Sequence, residues 1–251
     1  MTACSTLPGD NNQSASADEL YATAKSALQD GSYENAVKAF ERLQARYPYG
    51  RYAQQAQLEI AYAYYKQGEP APALAALDRF VKQFPNSDRL DYVLYLKGLI
   101  NFDENLNSFM SILFGQDPAE RDPGALHAAS DAFGELASRY PDSRYAEDAR
   151  LRRQYLQVTL AKHEIAVASY YLRRGALVAA VNRAQGVLTT YPNTPQTRDA
   201  LQIMVQGYTA LGLGDLSRDT QRVLDLNIAK DGLRPSRANF QESETPWWKF
   251  W

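Results

Sequence analysis

The chain has 251 residues, 45% of them hydrophobic and 22% charged, with 27 lysines and arginines against 29 aspartates and glutamates. That length holds one or two domains with a sizeable core, and the balanced charge excludes the broad basic surface that nucleic-acid binding requires. No apolar run approaches the roughly 18 residues of a membrane-spanning helix, and a single cysteine, Cys4, excludes an internal disulfide.

The chain opens Met1-Thr2-Ala3-Cys4-Ser5. A Thr-Ala pair ahead of Cys resembles the end of a bacterial lipobox, which is cut just before a Cys that carries lipid. The plainer alternative is an incidental exposed thiol. The positive and apolar regions of a signal peptide do not precede it, as expected of a mature or truncated form. Residues 5–17 are polar, with Gly, Pro, Asn and Ser, the composition of a flexible linker.

From residue 18 onward the chain repeats itself. RYPYGRYAQQA at 46–56 returns at 139–149 as RYPDSRYAEDA. Tyr-Pro or Phe-Pro stands at Tyr47-Pro48, Phe84-Pro85, Tyr140-Pro141 and Tyr191-Pro192, and two residues after each Pro come Gly50, Ser87, Ser143 and Thr194. The Pro turns its preceding aromatic away from helical geometry, and the small or hydroxyl residue suits a helix N-cap. Pro195 is expected at the first helical position of the next helix. Twelve and eight residues before each Pro lie Ala36 and Phe40, Ala73 and Leu77, Ala129 and Phe133, Ala180 and Ala184. That spacing puts a small and a larger apolar side chain on one helix face. Turn glycines stand at Gly31, Gly68 and Gly175, and Gly214 marks an expected fifth turn.

A helix–turn–helix unit with these offsets resembles the tetratricopeptide repeat. The expected fold is all-α, a superhelical solenoid of about five such repeats at 17–48, 54–85, 88–141, 144–192 and 195–228. Residues 101–124 read as an insertion inside the third repeat, and 144–174 as a helix longer than one repeat needs. The expected organisation is therefore an anchor and linker at 1–17, a solenoid at 18–228 and an aromatic tail at 229–251. The solenoid divides into an N-terminal half (18–141) and a C-terminal half (142–228).

No catalytic constellation emerges. His127 and His163 have no partner at metal-ligand spacing, and Val167 stands where a zinc-protease helix would need its second His. No Gly-rich phosphate loop and no nucleophile elbow occur, and Cys4 has no base near it. The chain reads as a non-enzyme without metal or cofactor. What remains is binding, for which repeat solenoids offer a concave face lined by the first helix of each repeat. Counting from each cap, that face carries Tyr21, Lys25, Leu28, Gln55, Leu58, Tyr62, Tyr65, Lys66, Tyr92, Tyr95, Leu99 and Phe102, with Arg51 and Tyr52 near its mouth. Aromatic rings give rigid contact area, and an ammonium can take a terminal carboxylate. The implied ligand is an extended or helical segment with aromatic side chains. The alternative is that about half of these tyrosines pack between helices.

Taken in order, Cys4, ELYATAKSALQDGSYENAV, RYPYGRYAQQAQLEIAYAYYK, DYVLYLKGLINF, FGQDPAERDP, AKHEIAVASYYLRRGALVAAVNR and YPNTPQTRDAL resemble the BamD family. These are lipoproteins of the outer-membrane β-barrel assembly machine. The resemblance implies a periplasmic protein held to the outer membrane only by lipid on Cys4. It implies a non-catalytic scaffold whose C-terminal repeats dock a POTRA domain of BamA, beside other Bam lipoproteins. It also implies that the N-terminal groove receives the C-terminal signal of unfolded barrel proteins, which ends in an aromatic residue. Arg173, Arg174, Arg183 and Arg198 are the basic residues expected to meet BamA. A second family, the division-associated CpoB proteins, shares the YPxSxYAxxA grammar and would bind cell-wall or Tol-system partners instead. The tail ends TPWWKFW, too apolar to be idle, and is expected to dock on the chain's own repeats or on a partner.

Overall fold

The computed structural model describes residues 15–112 and 123–230, with side chains described for all of these except 104–112, 229 and 230. Cys4, residues 113–122 of the insertion and the tail from 231 lie outside the described residues. Among the described residues the chain is all-α and has no strand. The helices are α1 (Ala17–Gln29), α2 (Tyr33–Arg46), α3 (Arg51–Gln67), α4 (Pro70–Gln83), α5 (Leu90–Ile112), α6 (Gly124–Arg139), α7 (Ala146–Arg173), α8 (Leu177–Thr190), α9 (Gln196–Ala210) and α10 (Gly214–Lys230). They follow one another as five helix pairs, α7 being the long helix of the fourth, and residues 113–122 lie between the two helices of the third.

The small-and-large spacing is the core. Ala36, Phe40, Ala73, Leu77, Ala129, Phe133, Ala180 and Ala184 are all fully buried. The Ala positions let the partner helix approach, and the larger side chains fill the space four residues on. Helix ends follow the same grammar. The amides of Tyr47, Phe84, Tyr140 and Tyr191 each donate to the carbonyl four residues back, at 2.8, 2.8, 2.9 and 2.9 Å, and the next residue is Pro. At the start of α1, Ser16 Oγ accepts from the Glu19 amide while Glu19 Oε2 accepts from the Ser16 amide, a reciprocal capping box.

The helix starts depart from expectation in four places. Gly50 is the N-cap of α3, but Ser87 and Ser143 precede the first helical residue by three positions. There the chain makes an extra turn first, with the Ser143 amide donating to Tyr140 and the Ala146 amide donating to Ser143. Pro195 takes the N-cap of α9 rather than its first helical position, and Thr194 Oγ1 is spent on the Tyr191 carbonyl. The fifth turn belongs to Gly212, at φ +76°, while Gly214 starts α10.

Helix contacts divide the chain into two compact units. The first comprises Met1–Leu106 with Asp131–Ala149, the second Asn107–Ser130 with Arg150–Trp251. In the first, α1 packs on α2, α2 on α3 and α3 on α4, around a core that runs from Leu20 to Ile100 and includes Phe40 and Phe80. In the second, α8 packs on α9 and α9 on α10, and the core is built from Leu160, Ala168, Val181, Val187 and Met204. Half-buried tyrosines crowd the edge of the first core, among them Tyr21, Tyr52, Tyr62, Tyr65 and Tyr92. No helix among the described residues is long and apolar enough to cross a membrane.

Candidate functional site

The first unit holds a recess of about 330 Å³ lined by Lys25, Gln55, Leu58, Glu59, Tyr62, Arg89, Tyr92, Arg144 and Tyr145. Its lining comes from the first helices of successive repeats. Lys25 comes from α1, Gln55 to Tyr62 from α3, and Tyr92 from α5, while Arg89 and Arg144-Tyr145 come from the turns that lead into α5 and α7. Residues 55, 58, 59 and 62 recur at helical spacing, so one face of α3 forms the floor.

Glu59 organises the charge. Its Oε1 accepts from Lys25 Nζ at 2.7 Å and from the Tyr21 hydroxyl at 3.2 Å, and its side chain is only 15% exposed. A carboxylate so enclosed is satisfied by its cation and its hydroxyl. Burial, and after it the Glu59 charge, pushes the hydroxyls of Tyr21 and Tyr92 above the ordinary tyrosine range. Both remain neutral donors at physiological pH. Around the single carboxylate the lining carries three cations: Lys25, Arg89 and Arg144.

The aromatic wall is a connected cluster. Tyr145 stacks on Tyr95 with centroids 4.6 Å apart and planes 18° apart, and it meets Tyr92 at 5.7 Å. The Arg144 guanidinium lies over the Tyr145 ring at 4.6 Å and also donates to its hydroxyl. Tyr95 is anchored from behind, its hydroxyl donating to Asp148 at 2.8 Å and its ring against Phe133. Ser143 fixes the turn, donating to Asp91 at 2.7 Å and accepting from the Tyr145 amide at 3.2 Å. The result is a connected aromatic face beside three cations, suited to a segment that carries both an aromatic ring and a negative group.

Of the residues expected in the groove, Lys25, Gln55, Leu58, Tyr62 and Tyr92 line this recess, Tyr21 and Tyr95 support it, and Leu28 is buried in the core instead. Tyr65 turns its hydroxyl to Asp103 and packs near Tyr62, and Lys66 is exposed at the end of α3; neither lines the recess. Arg51 is exposed outside it, over the Tyr52 ring at 4.7 Å and 3.9 Å from Asp18. Phe102 is a correction: it is 2% exposed, in the core rather than on the groove face. The reason is Gly98, where an added Cβ would lie 2.4 Å from Phe133. That close approach brings the Phe133 ring onto α5, where Phe102, one turn further along the same face, meets it edge-on at 6.5 Å.

Sequence reasoning passed over Glu59, Arg89, Arg144 and Tyr145. Glu59 was legible, being four residues after Gln55 and three before Tyr62. Arg144-Tyr145 belongs to a phrase that reads as helix punctuation, and only its tertiary neighbours make it a wall.

The four arginines expected to meet BamA sit in the second unit in separate settings. Arg173 is exposed at the end of α7, and Arg174 lies over the Tyr170 ring at 5.8 Å. Arg183 holds both oxygens of Glu164 at 3.1 and 3.0 Å. Arg198 is half-buried beside Asp199, whose carboxyl is pushed up by burial and drawn back by that arginine.

The chain matches the family model described as YfiO, outer membrane lipoprotein, over residues 13–224. It is 43% identical to an "Outer membrane protein assembly factor BamD" of Neisseria meningitidis, covering 95% of this chain and 88% of that protein. A protein of the same name from Vibrio cholerae is 41% identical, covering 90% and 93%, and one from Haemophilus influenzae 35%, covering 98% and 93%. A solved structure of Podosopora anserina kinesin-light-chain TPR-like repeats aligns over 86% of this chain and 95% of its own, with 17% identity and a TM-score of 0.35, too low to add to the pairing seen directly. This chain belongs to the YfiO/BamD family of outer membrane lipoproteins.

Proposed function

We propose that the chain is a non-catalytic outer-membrane protein assembly factor, and that the recess of its first unit receives the C-terminal signal of a client barrel protein. The observation that carries this reading is the pairing of a tyrosine wall with three cations around one already satisfied carboxylate. A client segment ending in an aromatic residue would lay its ring on Tyr62, Tyr92 and Tyr145 and turn its terminal carboxylate to Arg89 and Arg144. Arg favours that role because its guanidinium can bond both carboxylate oxygens at once.

In the same reading Cys4 carries the lipid, and the protein works on the periplasmic face of the outer membrane among other Bam lipoproteins. Arg173, Arg174, Arg183 and Arg198 of the second unit meet the POTRA region of BamA. The names of the relatives favour this assignment over the cell-wall alternative.

The test is fluorescence anisotropy with labelled peptides matching barrel-protein C-termini. Saturable binding that falls about tenfold or more in Arg144→Glu supports the recess. Binding that is absent, or unchanged in both Arg89→Glu and Arg144→Glu, rejects it. For the second unit, pull-down with a purified BamA periplasmic region should weaken in Arg198→Glu, and undiminished capture by that variant and by Arg173→Glu would reject this surface.

A further inference from the structure

The last helix of the described chain leaves one flank without a partner. On α10, Leu216, Val223 and Leu226 are 47%, 47% and 61% exposed. At about 100° per residue they fall on one side of the helix, next to the face that buries Leu224 against α9. Much of the remaining surface is polar, with Arg218 paired to Asp215 and Gln221 bonded to Asp225. Terminal repeats of a solenoid need a polar outer face or a cap, because no further repeat covers them. Here the flank is apolar, and so needs covering.

We propose that the aromatic segment at 246–251 of this same chain folds back along α10 and caps the last repeat. Two observations select this occupant. Trp247, Trp248, Phe250 and Trp251 supply large apolar surface within five residues, and the chain uses tryptophan nowhere else. Fifteen residues, 231 to 245, separate the segment from α10, and a random coil of that length has a root-mean-square span of about 19–23 Å. The stripe from Lys230 back to Leu216 is about 21 Å long at 1.5 Å per residue, so the segment is delivered where the stripe lies. A tether this short holds the segment at an effective concentration of roughly millimolar, which favours this intramolecular partner over a second copy.

Because all three tryptophans lie in the segment, intrinsic fluorescence reports on it alone. The expected result is that the full chain emits at shorter wavelength than a synthetic peptide of residues 244–251. The shift should be independent of protein concentration, and Val223→Ser and Leu226→Ser should each return it toward the peptide value with unchanged far-UV circular dichroism. Deleting 246–251 should lower the Tm by about 2–4 °C. Leu151→Ser, at an exposed apolar position on α7, is the control and should leave the emission unchanged. Emission equal to that of the peptide would overturn the proposal and leave the flank to an external partner. So would a shift that survives both α10 substitutions, one lost on dilution, which marks a second copy, or one lost in Leu151→Ser.

Discussion

The phrase Arg-Tyr-Pro-x-x-Arg-Tyr-Ala-x-x-Ala occurs twice in the first unit, and both copies lay each arginine over the tyrosine that follows it. In the copy at 46–56, Arg51 lies 4.7 Å over the Tyr52 ring; in the copy at 139–149, Arg144 lies 4.6 Å over Tyr145. Arg46 over Tyr47 and Arg139 over Tyr140 repeat the match at 5.7 Å each. The neighbours differ. Tyr52 meets Tyr21 and gives its hydroxyl to Asp18 on an exposed edge, and Arg51 stands near that same acid. Tyr145 is stacked on Tyr95 and meets Tyr92, and with Arg144 it lines the recess. The same local chemistry thus makes a rim in one place and the wall of the recess in the other.

The largest expected effect concerns what lies beneath each copy. Phe40 supports Tyr21 at 5.7 Å and Phe133 supports Tyr95 at 6.1 Å, and both phenylalanines are fully buried. Phe40→Ala and Phe133→Ala should each cost about 3–5 kcal/mol in denaturant unfolding. A mild loss in Phe133→Ala alone would show that the second copy is not seated on the core.

Next comes the position that starts the divergence between the two turns, Gly50 in one copy and Ser143 in the other. Gly50 has φ +91° and ψ −172°, a region open essentially to Gly, with no side-chain crowding around it. Gly50→Ser should therefore lose about 1–3 kcal/mol by backbone strain alone. Ser143→Gly should lose about 1 kcal/mol, the worth of its bonds to Asp91 and the Tyr145 amide. Equal tolerance of both swaps would mean that the two turns are interchangeable.

Charge reversal separates the copies by function. Arg144→Glu should weaken client-peptide binding about tenfold, roughly 1.4 kcal/mol, while Arg51→Glu stays within about twofold. Equal losses would place the ligand across the rim as well.

The smallest effect is a shared one at alkaline pH. Tyr21 and Tyr92 are held above the ordinary tyrosine range by burial and then by Glu59. The folded state keeps these protons more tightly than the unfolded chain, so the contribution is complete below the unfolded tyrosine pKa and is lost as pH rises toward the folded one. Glu59→Gln should move both tyrosines to lower titration pH in a spectrophotometric titration. An unmoved titration would assign the whole effect to burial.

The repeats were legible because their signals are local. Proline blocks helical geometry before it, glycine takes the left-handed turn at Gly31, Gly68 and Gly175, and Ala–Phe spacing marks a buried face. The groove was legible only as a helix face, which found Lys25, Gln55, Leu58, Tyr62 and Tyr92. Phe102 was misplaced because face-counting along α5 carries no information about α6, and Gly98 lets Phe133 into the space that a continued groove would occupy. Arg144 and Tyr145 were hidden for the opposite reason. Their phrase explains itself locally, so nothing in it announces the tertiary contacts with Tyr92 and Tyr95.

The account rests most on the claim that the recess reads an aromatic end and its carboxylate together. A double-mutant cycle tests this directly, with an aromatic-ended client peptide as free acid or C-terminal amide against the unaltered chain and the Arg89→Gln, Arg144→Gln variant. Amidation should weaken binding to the unaltered chain and have little effect on the variant. An equal loss in both would contradict the account, because the arginines would then be blind to the carboxylate.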